Sequence, residues 1–242
     1  MSSPVKIGLL GCGSIARQVH LDTLRELSNA KIAAFAEINQ DRREEVHRRI
    51  PDARAFVDYQ NLLSKSDVEA VLICLPTALH AEASIQAFEA GKHVYLEKPI
   101  ATNWQEAEKV VEAEQRAATV GMMGFNYRFS GLHQSAKSAI QDRRIGTPMM
   151  VRTVFSTADR TLPAWKTERA SGGGVLLDLA SHHVDLLRFI FEEEVTEVTA
   201  ERWSEQTEHD SATVFFQLTS GLAVQSFFSH RAGTEDRLEV YG

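Results

Sequence analysis

The sequence predicts an α/β protein: a doubly wound parallel sheet followed by an α+β domain on an open, mainly antiparallel sheet. Three observations predict it. Over the first half, short runs that are apolar throughout alternate with helical segments, as strands covered on both faces require. A glycine loop, Gly11-Cys12-Gly13-Ser14-Ile15-Ala16, joins the first run to the first helix. After Phe125 the texture changes to longer strands that alternate apolar and polar residues, as in a sheet with one covered face.

In order along the chain, 5–10 is a continuous apolar strand and 14–27 a helix. A second strand spans 32–37, and a charged helix starts near Asp41. A short strand is expected at 53–57 and a buried one at 70–75. A helix over 78–90 ends at Gly91, which suits a left-handed C-terminal cap. The run 93–97 is a strand. Asn103, with Glu106 three residues on, opens a helix to about 118 as a capping box. A last strand, 120–124, closes the first domain, set at 1–124. The second, 125–242, starts with a helix over 130–141. Strands follow at 149–157, 195–203, 212–219, 222–229 and 237–241, with a covering helix over 174–191. Ser220-Gly221 suits a two-residue hairpin turn. Val214, Phe216 and Leu218 then face the core.

The chain has 242 residues, 43% hydrophobic and 24% charged, ordinary for a globular protein. A net charge of −7 argues against nucleic acid or an anionic membrane as partner. No apolar run is long enough to span a bilayer, and Met1-Ser2-Ser3-Pro4 lacks a signal-peptide layout. Two cysteines, Cys12 and Cys74, make no disulfide framework, so a cytoplasmic location is expected. No cluster with metal-ligand spacing is expected.

The glycine loop gains meaning from its context. It follows a strand, opens a helix, and Glu37 stands 21 residues after Ala16 at the end of the next strand. That is the Rossmann dinucleotide fingerprint. Gly11 permits the tight turn, and Gly13 lets main chain approach a pyrophosphate. Ser14 and Ile15 open the helix, whose N-terminus favours phosphate. Glu37 would accept from the adenosine ribose, which favours NAD, while Arg42 and Arg43 leave NADP possible. Further along the same sheet edge, Leu75, Pro76 and His80 would line the nicotinamide side; His80 serves equally as a cap or a surface residue.

Glu97-Lys98-Pro99 ends a buried strand where open α/β sheets bind ligands. The Lys98 ammonium could hold a substrate hydroxyl and stabilise alkoxide character during hydride loss. Far downstream, Asp178, His182 and Asp185 interrupt an apolar helix at four- and seven-residue spacing, which puts all three on one face. An Asp–His pair pinning the helix to the sheet is the plainer alternative. His183 points elsewhere. Ser171-Gly172-Gly173-Gly174 is a second candidate anion or hydroxyl contact, and Trp165, in the loop 158–170, could stack on a sugar ring.

The ordered set — the glycine loop, Glu37, Leu75-Pro76 with His80, Glu97-Lys98-Pro99, Gly124-Phe125-Asn126-Tyr127-Arg128-Phe129, and Gly172-Gly173-Gly174 with Asp178, His182 and Asp185 — resembles the Gfo/Idh/MocA family. The resemblance runs from Lys6 to Tyr241. It implies NAD(P)-dependent oxidation or reduction of a sugar, cyclitol or related polyol, and a C-terminal domain for substrate binding and homo-oligomer formation through its sheet. By position, Lys98 matches the family's catalytic lysine, and Asp178 and His182 its aspartate–histidine pair, with His182 as general acid/base. Asn126 and Arg128 match residues at the cofactor–substrate junction. Cys74-Leu75 stands where the family has threonine or serine before the proline turn. The sequence stops at Leu238-Glu239-Val240-Tyr241-Gly242, where the family continues into further strands. Two alternatives stay open: an NAD-dependent glycosidase on the same fold, and a non-catalytic cofactor-sensing regulator.

Overall fold

The computed structural model describes residues 3–158 and 162–242. It divides into two units, Met1–Gly124 and Phe125–Gly242. Part of the expected loop over 158–170, and Met1 and Ser2, lie outside the described residues.

The first unit is a six-stranded sheet: β1 (Val5–Leu10), β2 (Ala30–Ala36), β3 (Arg54–Phe56), β4 (Ala70–Ile73), β5 (His93–Leu96) and β6 (Gly121–Met123). The order is β3-β2-β1-β4-β5-β6, with every pair parallel. Successive residues bury on opposite faces. Leu9, Phe35 and Leu72 join one core; Leu10, Val71, Ile73, Val94 and Leu96 join the other. This two-sided burial explains why these runs carry almost no polar residues. The strand order reverses between β1 and β4, so the crevice at their carboxyl ends is the topological switch point.

Helices α1 (Leu21–Glu26), α2 (Gln40–Arg49), α3 (Tyr59–Lys65), α4 (His80–Glu89) and α5 (Trp104–Arg116) complete the unit. A wide π turn, Ala16–His20, leads into α1. Asn39, Asp58 and Asn103 each accept from the N–H three residues on, at 2.9, 2.7 and 3.0 Å. In the capping box, Glu106 reaches past Asn103 to Thr102, accepting from its hydroxyl at 2.9 Å. Helix α3 is absent from the sequence reading. Seven residues are too few for a periodic signal, and the legible clue was the Asp58 cap.

The second unit contains α6 (Gly131–Gln141), α7 (Ser181–Phe191) and five strands: β7 (Met150–Ser156), β8 (Val195–Trp203), β9 (Ser211–Leu218), β10 (Ala223–Ser229) and β11 (Glu235–Tyr241). Their order is β11-β7-β10-β9-β8, with β10–β7 the one parallel pair among the described strands of this sheet. Val214, Phe216 and Leu218 pack with Val175, Leu179, Ala180 and Leu187 of the covering helical segment. Thr213 and Gln217 face the other way, joined by Phe215, which is half exposed.

Two details depart from expectation. The β9–β10 loop has three residues, Thr219-Ser220-Gly221: Leu218 N–H donates to Leu222 at 3.0 Å, and Gly221 takes φ +87°. A type I turn closed by a left-handed glycine gives this hairpin, and a two-residue turn does not. The covering helix begins as a π turn, Leu176–Ala180, so Asp178 lies in a wider coil than His182.

Candidate functional site

The candidate groups fall in both units, and each set is built within its own. In the first unit they gather along the carboxyl edge of the sheet. Gly11 has φ +84°, and a Cβ there would stand 2.9 Å from the Cys74 carbonyl oxygen. Only glycine lets the loops after β1 and β4 approach so closely. Gly13 is different: a Cβ there meets no heavy atom within 4 Å. The protein does not demand glycine at that point, but a phosphate approaching main chain would. Ser14 and Ile15 start the helical segment, where N–H groups lack intrahelical acceptors.

Glu37 is 5% exposed. One carboxylate oxygen accepts from Cys12 N–H at 2.8 Å, the other from Asn39 N–H at 2.9 Å. The acid is thus locked to the glycine loop. Arg42 stands 3.9 Å from it, while the Arg43 guanidinium donates to the Glu37 carbonyl at 2.7 Å. Each carboxylate oxygen has a second lone pair for a ribose hydroxyl, so the residues present fit a dinucleotide. Burial pushes the Cys12 thiol up to about 12, and burial raises Cys74 as well. Both are packing residues in the core under the loop.

After β4, Leu75 and Pro76 lead into the turn Thr77–Leu79 and then α4. His80 is 2% exposed, its Nδ1 2.6 Å from the Pro99 carbonyl and its Nε2 2.8 Å from the Leu75 carbonyl. After β5, Glu97 N–H donates to the Ile73 carbonyl at 3.1 Å, and Glu97 Oε1 lies 2.6 Å from His20 Nε2. His20 also packs edge-on against Tyr95. The sequence reading missed His20. Its signal is the position four residues past Ala16, one turn along the helix that the glycine loop opens. Half-buried Lys98 follows at once.

In the second unit, Asp178 is 6% exposed and bridges two groups the sequence reading did not single out. Lys166 donates to Oδ1 at 2.6 Å, and His230 Nε2 lies 3.2 Å from Oδ2. No local pattern marks these partners, since 52 residues separate Asp178 from His230. His182 is half-buried and stacks on the Tyr127 ring at 5.0 Å, with Phe155 at 5.9 Å. Asp185 pairs in bidentate fashion with Arg128, at 2.8 and 2.5 Å. That fork accounts for the buried acid, and the Asp185 hydrogen bond raises the Arg128 pKa. His183 is fully buried, 3.0 Å from Asp236, which also accepts from the Tyr127 hydroxyl. Burial pushes the Asp236 carboxyl up, but these two donors outweigh it and hold it below the usual range.

Asn126 is exposed on the short turn Asn126–Phe129. Trp165 is half-buried, with the Lys166 ammonium 5.3 Å from its ring centre. The glycine triplet is no open cradle. A Cβ at Gly173 would stand 2.4 Å from the Lys166 carbonyl oxygen, so packing against 166–168 requires that residue. Among the described residues no group of three or more His, Cys, Asp or Glu is placed to hold a metal ion.

Known proteins are similar to this chain in sequence and fold. Residues 5–125 match the profile of the GFO/IDH/MocA oxidoreductase family with NAD-binding Rossmann fold, and residues 133–242 match the GFO/IDH/MocA C-terminal domain. A myo-inositol 2-dehydrogenase of Thermotoga maritima is 31% identical over 98% of this chain and 73% of its own length. An inositol 2-dehydrogenase of Rhizobium meliloti is 30% identical over 98% of this chain and 73% of its own. Among solved structures, a probable dehydrogenase from Thermotoga maritima superposes with TM-score 0.88 at 30% identity, covering 98% of this chain and 73% of that one. The WlbA dehydrogenase from Chromobacterium violaceum, solved with NADH and UDP-GlcNAcA, gives 0.90 at 25% identity, covering 100% and 72%.

Proposed function

The chain belongs to the GFO/IDH/MocA oxidoreductase family, and on that premise we propose that it moves a hydride between NAD and a secondary alcohol of a sugar, cyclitol or related polyol. The observation that carries the reading is the carboxyl edge of the first sheet. There Gly11, Gly13, Glu37, Leu75, Pro76 and Glu97-Lys98 stand at the ends of β1, β2, β4 and β5. Relatives bearing inositol dehydrogenase names point to the substrate class.

The hydride chemistry is supplied by nicotinamide when bound. The chain's own residues bind, orient and move the proton. Gly13 and the helix start receive the pyrophosphate, and Glu37 selects the ribose carrying a free 2′-hydroxyl, so NAD is preferred over NADP. Lys98 holds the substrate hydroxyl and stabilises negative charge on its oxygen. His182 takes the hydroxyl proton, as an imidazole can near neutral pH. Asp178, itself held by Lys166, supports the substrate or the His182 ring. Asn126, Arg128 and Trp165 line the substrate side.

The location is the cytoplasm, consistent with two buried free thiols. No helix among the described residues is long and apolar enough to cross a membrane. The outer face of the second sheet is the surface for self-association.

The test is a screen of sugars and cyclitols with NAD and NADP, reading reduced nicotinamide. Lys98→Ala should then lower kcat by about 10²–10⁴-fold with NADH affinity nearly unchanged. If Lys98 and His182 act in one step, adding His182→Ala should cost little more. Unchanged kcat in Lys98→Ala removes the lysine from the reaction. Cleavage of a glycoside without net NADH would replace the dehydrogenase reading.

A further inference from the structure

His80 is a buried titratable group that the reaction above does not use. It opens α4, yet its ring turns away from a helix-capping role. Its two nitrogens face two main-chain carbonyls from different loops: Pro99, after β5, at 2.6 Å, and Leu75, after β4, at 2.8 Å. With both nitrogens so engaged and 2% of the residue exposed, the ring has no polar edge to offer a ligand. What it holds is main chain. Pro99 is the residue after Lys98, and on the other flank Glu97 is held by His20 at 2.6 Å. The lysine therefore projects from a three-residue turn gripped at both ends by histidine side chains.

We propose that His80 is a positioning residue for Lys98, tying the turn after β5 to the turn after β4 so that the ammonium is held at a fixed height above the sheet edge. This rests on the reading of Lys98 as the cation that meets the substrate oxygen. A neutral ring donates to one carbonyl at a time, and an imidazolium donates to both. Burial lowers the His80 pKa; the two carbonyls and Glu97 oppose that, Lys98 adds to it, and the balance stays below the ordinary histidine value. At neutral pH the strap is thus one N–H bond, with the second added on acidification.

The test compares His80→Gln, which keeps one donor arm, with His80→Leu, which keeps none, in the full chain. NADH affinity is read by fluorescence, Lys98 by ¹³C NMR of the reductively methylated protein, and turnover on the alcohol found in the screen. The expected result is a graded loss of kcat, about 10-fold for Gln and about 100-fold for Leu, within the range of misplaced catalytic groups. KM and NADH affinity should move less than about threefold, and the Lys98 titration should shift in His80→Leu. Wild-type kcat and an unshifted Lys98 in His80→Leu overturn the proposal, as does equal loss of NADH binding. Failure of the wild type to bind NADH overturns the cofactor reading and this inference with it. Should neither variant fold, ring ¹⁵N spectra of the wild type decide. One slowly exchanging His80 N–H at neutral pH supports the strap, and a freely exchanging ring overturns it.

Discussion

Gly11 and Gly13 sit two residues apart and need glycine for opposite reasons. At Gly11 the demand is internal: φ +84° and a carbonyl oxygen 2.9 Å from any Cβ. Gly11→Ala should destabilise the fold by at least about 1–3 kcal/mol, read as a lower urea midpoint. At Gly13 the protein leaves room, so Gly13→Ala should keep its urea midpoint while NADH affinity falls by tenfold or more. A variant that binds NADH normally would detach the loop from the cofactor. The same contrast marks the limits of sequence reading at this scale. The strand-end positions of Gly11, Gly13, Glu37 and Lys98 were legible because local spacing fixes them. His20, Lys166 and His230 were not, because each matters through a partner 77, 12 and 52 positions away, beyond any helical or strand period.

At the scale of elements, the strands were legible wherever burial imposed a pattern. Two-sided burial made β1, β2, β4 and β5 mostly apolar, with Lys6, Lys31 and His93 the exceptions, and one-sided burial made β9 and β10 alternate. Where an element is short, the cap carries the signal instead, as Asp58 does for α3. Acid capping also appears in the loop between β8 and β9. One oxygen of Asp210 accepts from the N–H groups of Glu205, Gln206 and Thr207 at 3.1, 2.8 and 3.1 Å. Burial pushes the carboxyl up, but the three donors outweigh it and hold it below the usual range. A depressed folded pKa means the stabilisation is full above the unfolded value of about 3.9 and is lost as pH falls through the folded one. Asp210→Asn should therefore lower Tm at pH 7, and the gap to wild type should narrow below about pH 4. A gap that stays constant down to pH 2 would contradict this.

At the scale of the whole molecule, among the described residues of the second unit the second sheet has one face under helices and one without. The uncovered face carries Phe215 and Trp203, 50% and 46% exposed, with Trp203 stacked on Phe227. Exposed aromatic rings side by side on one sheet face are the kind of apolar patch that the proposed self-association would cover. Phe215→Lys should shift the mass measured by light scattering from oligomer toward monomer while leaving NADH affinity intact. A wild type that is monomeric at every concentration would remove this surface from the account.

Fold class, the order of the strands and the glycine loop after β1 were determined by the sequence alone, because each rests on short-range periodicity or fixed spacing. Only the tertiary structure decided which charges meet. Asp178 was placed by spacing beside His182, and folding set its carboxylate between Lys166 and His230. His80, equally a cap or a cofactor contact by sequence, became a bridge between two carbonyls. The physical reason is common to both: a buried polar group must find its partner in space, and the chain brings that partner from whichever strand or loop the core has placed nearby.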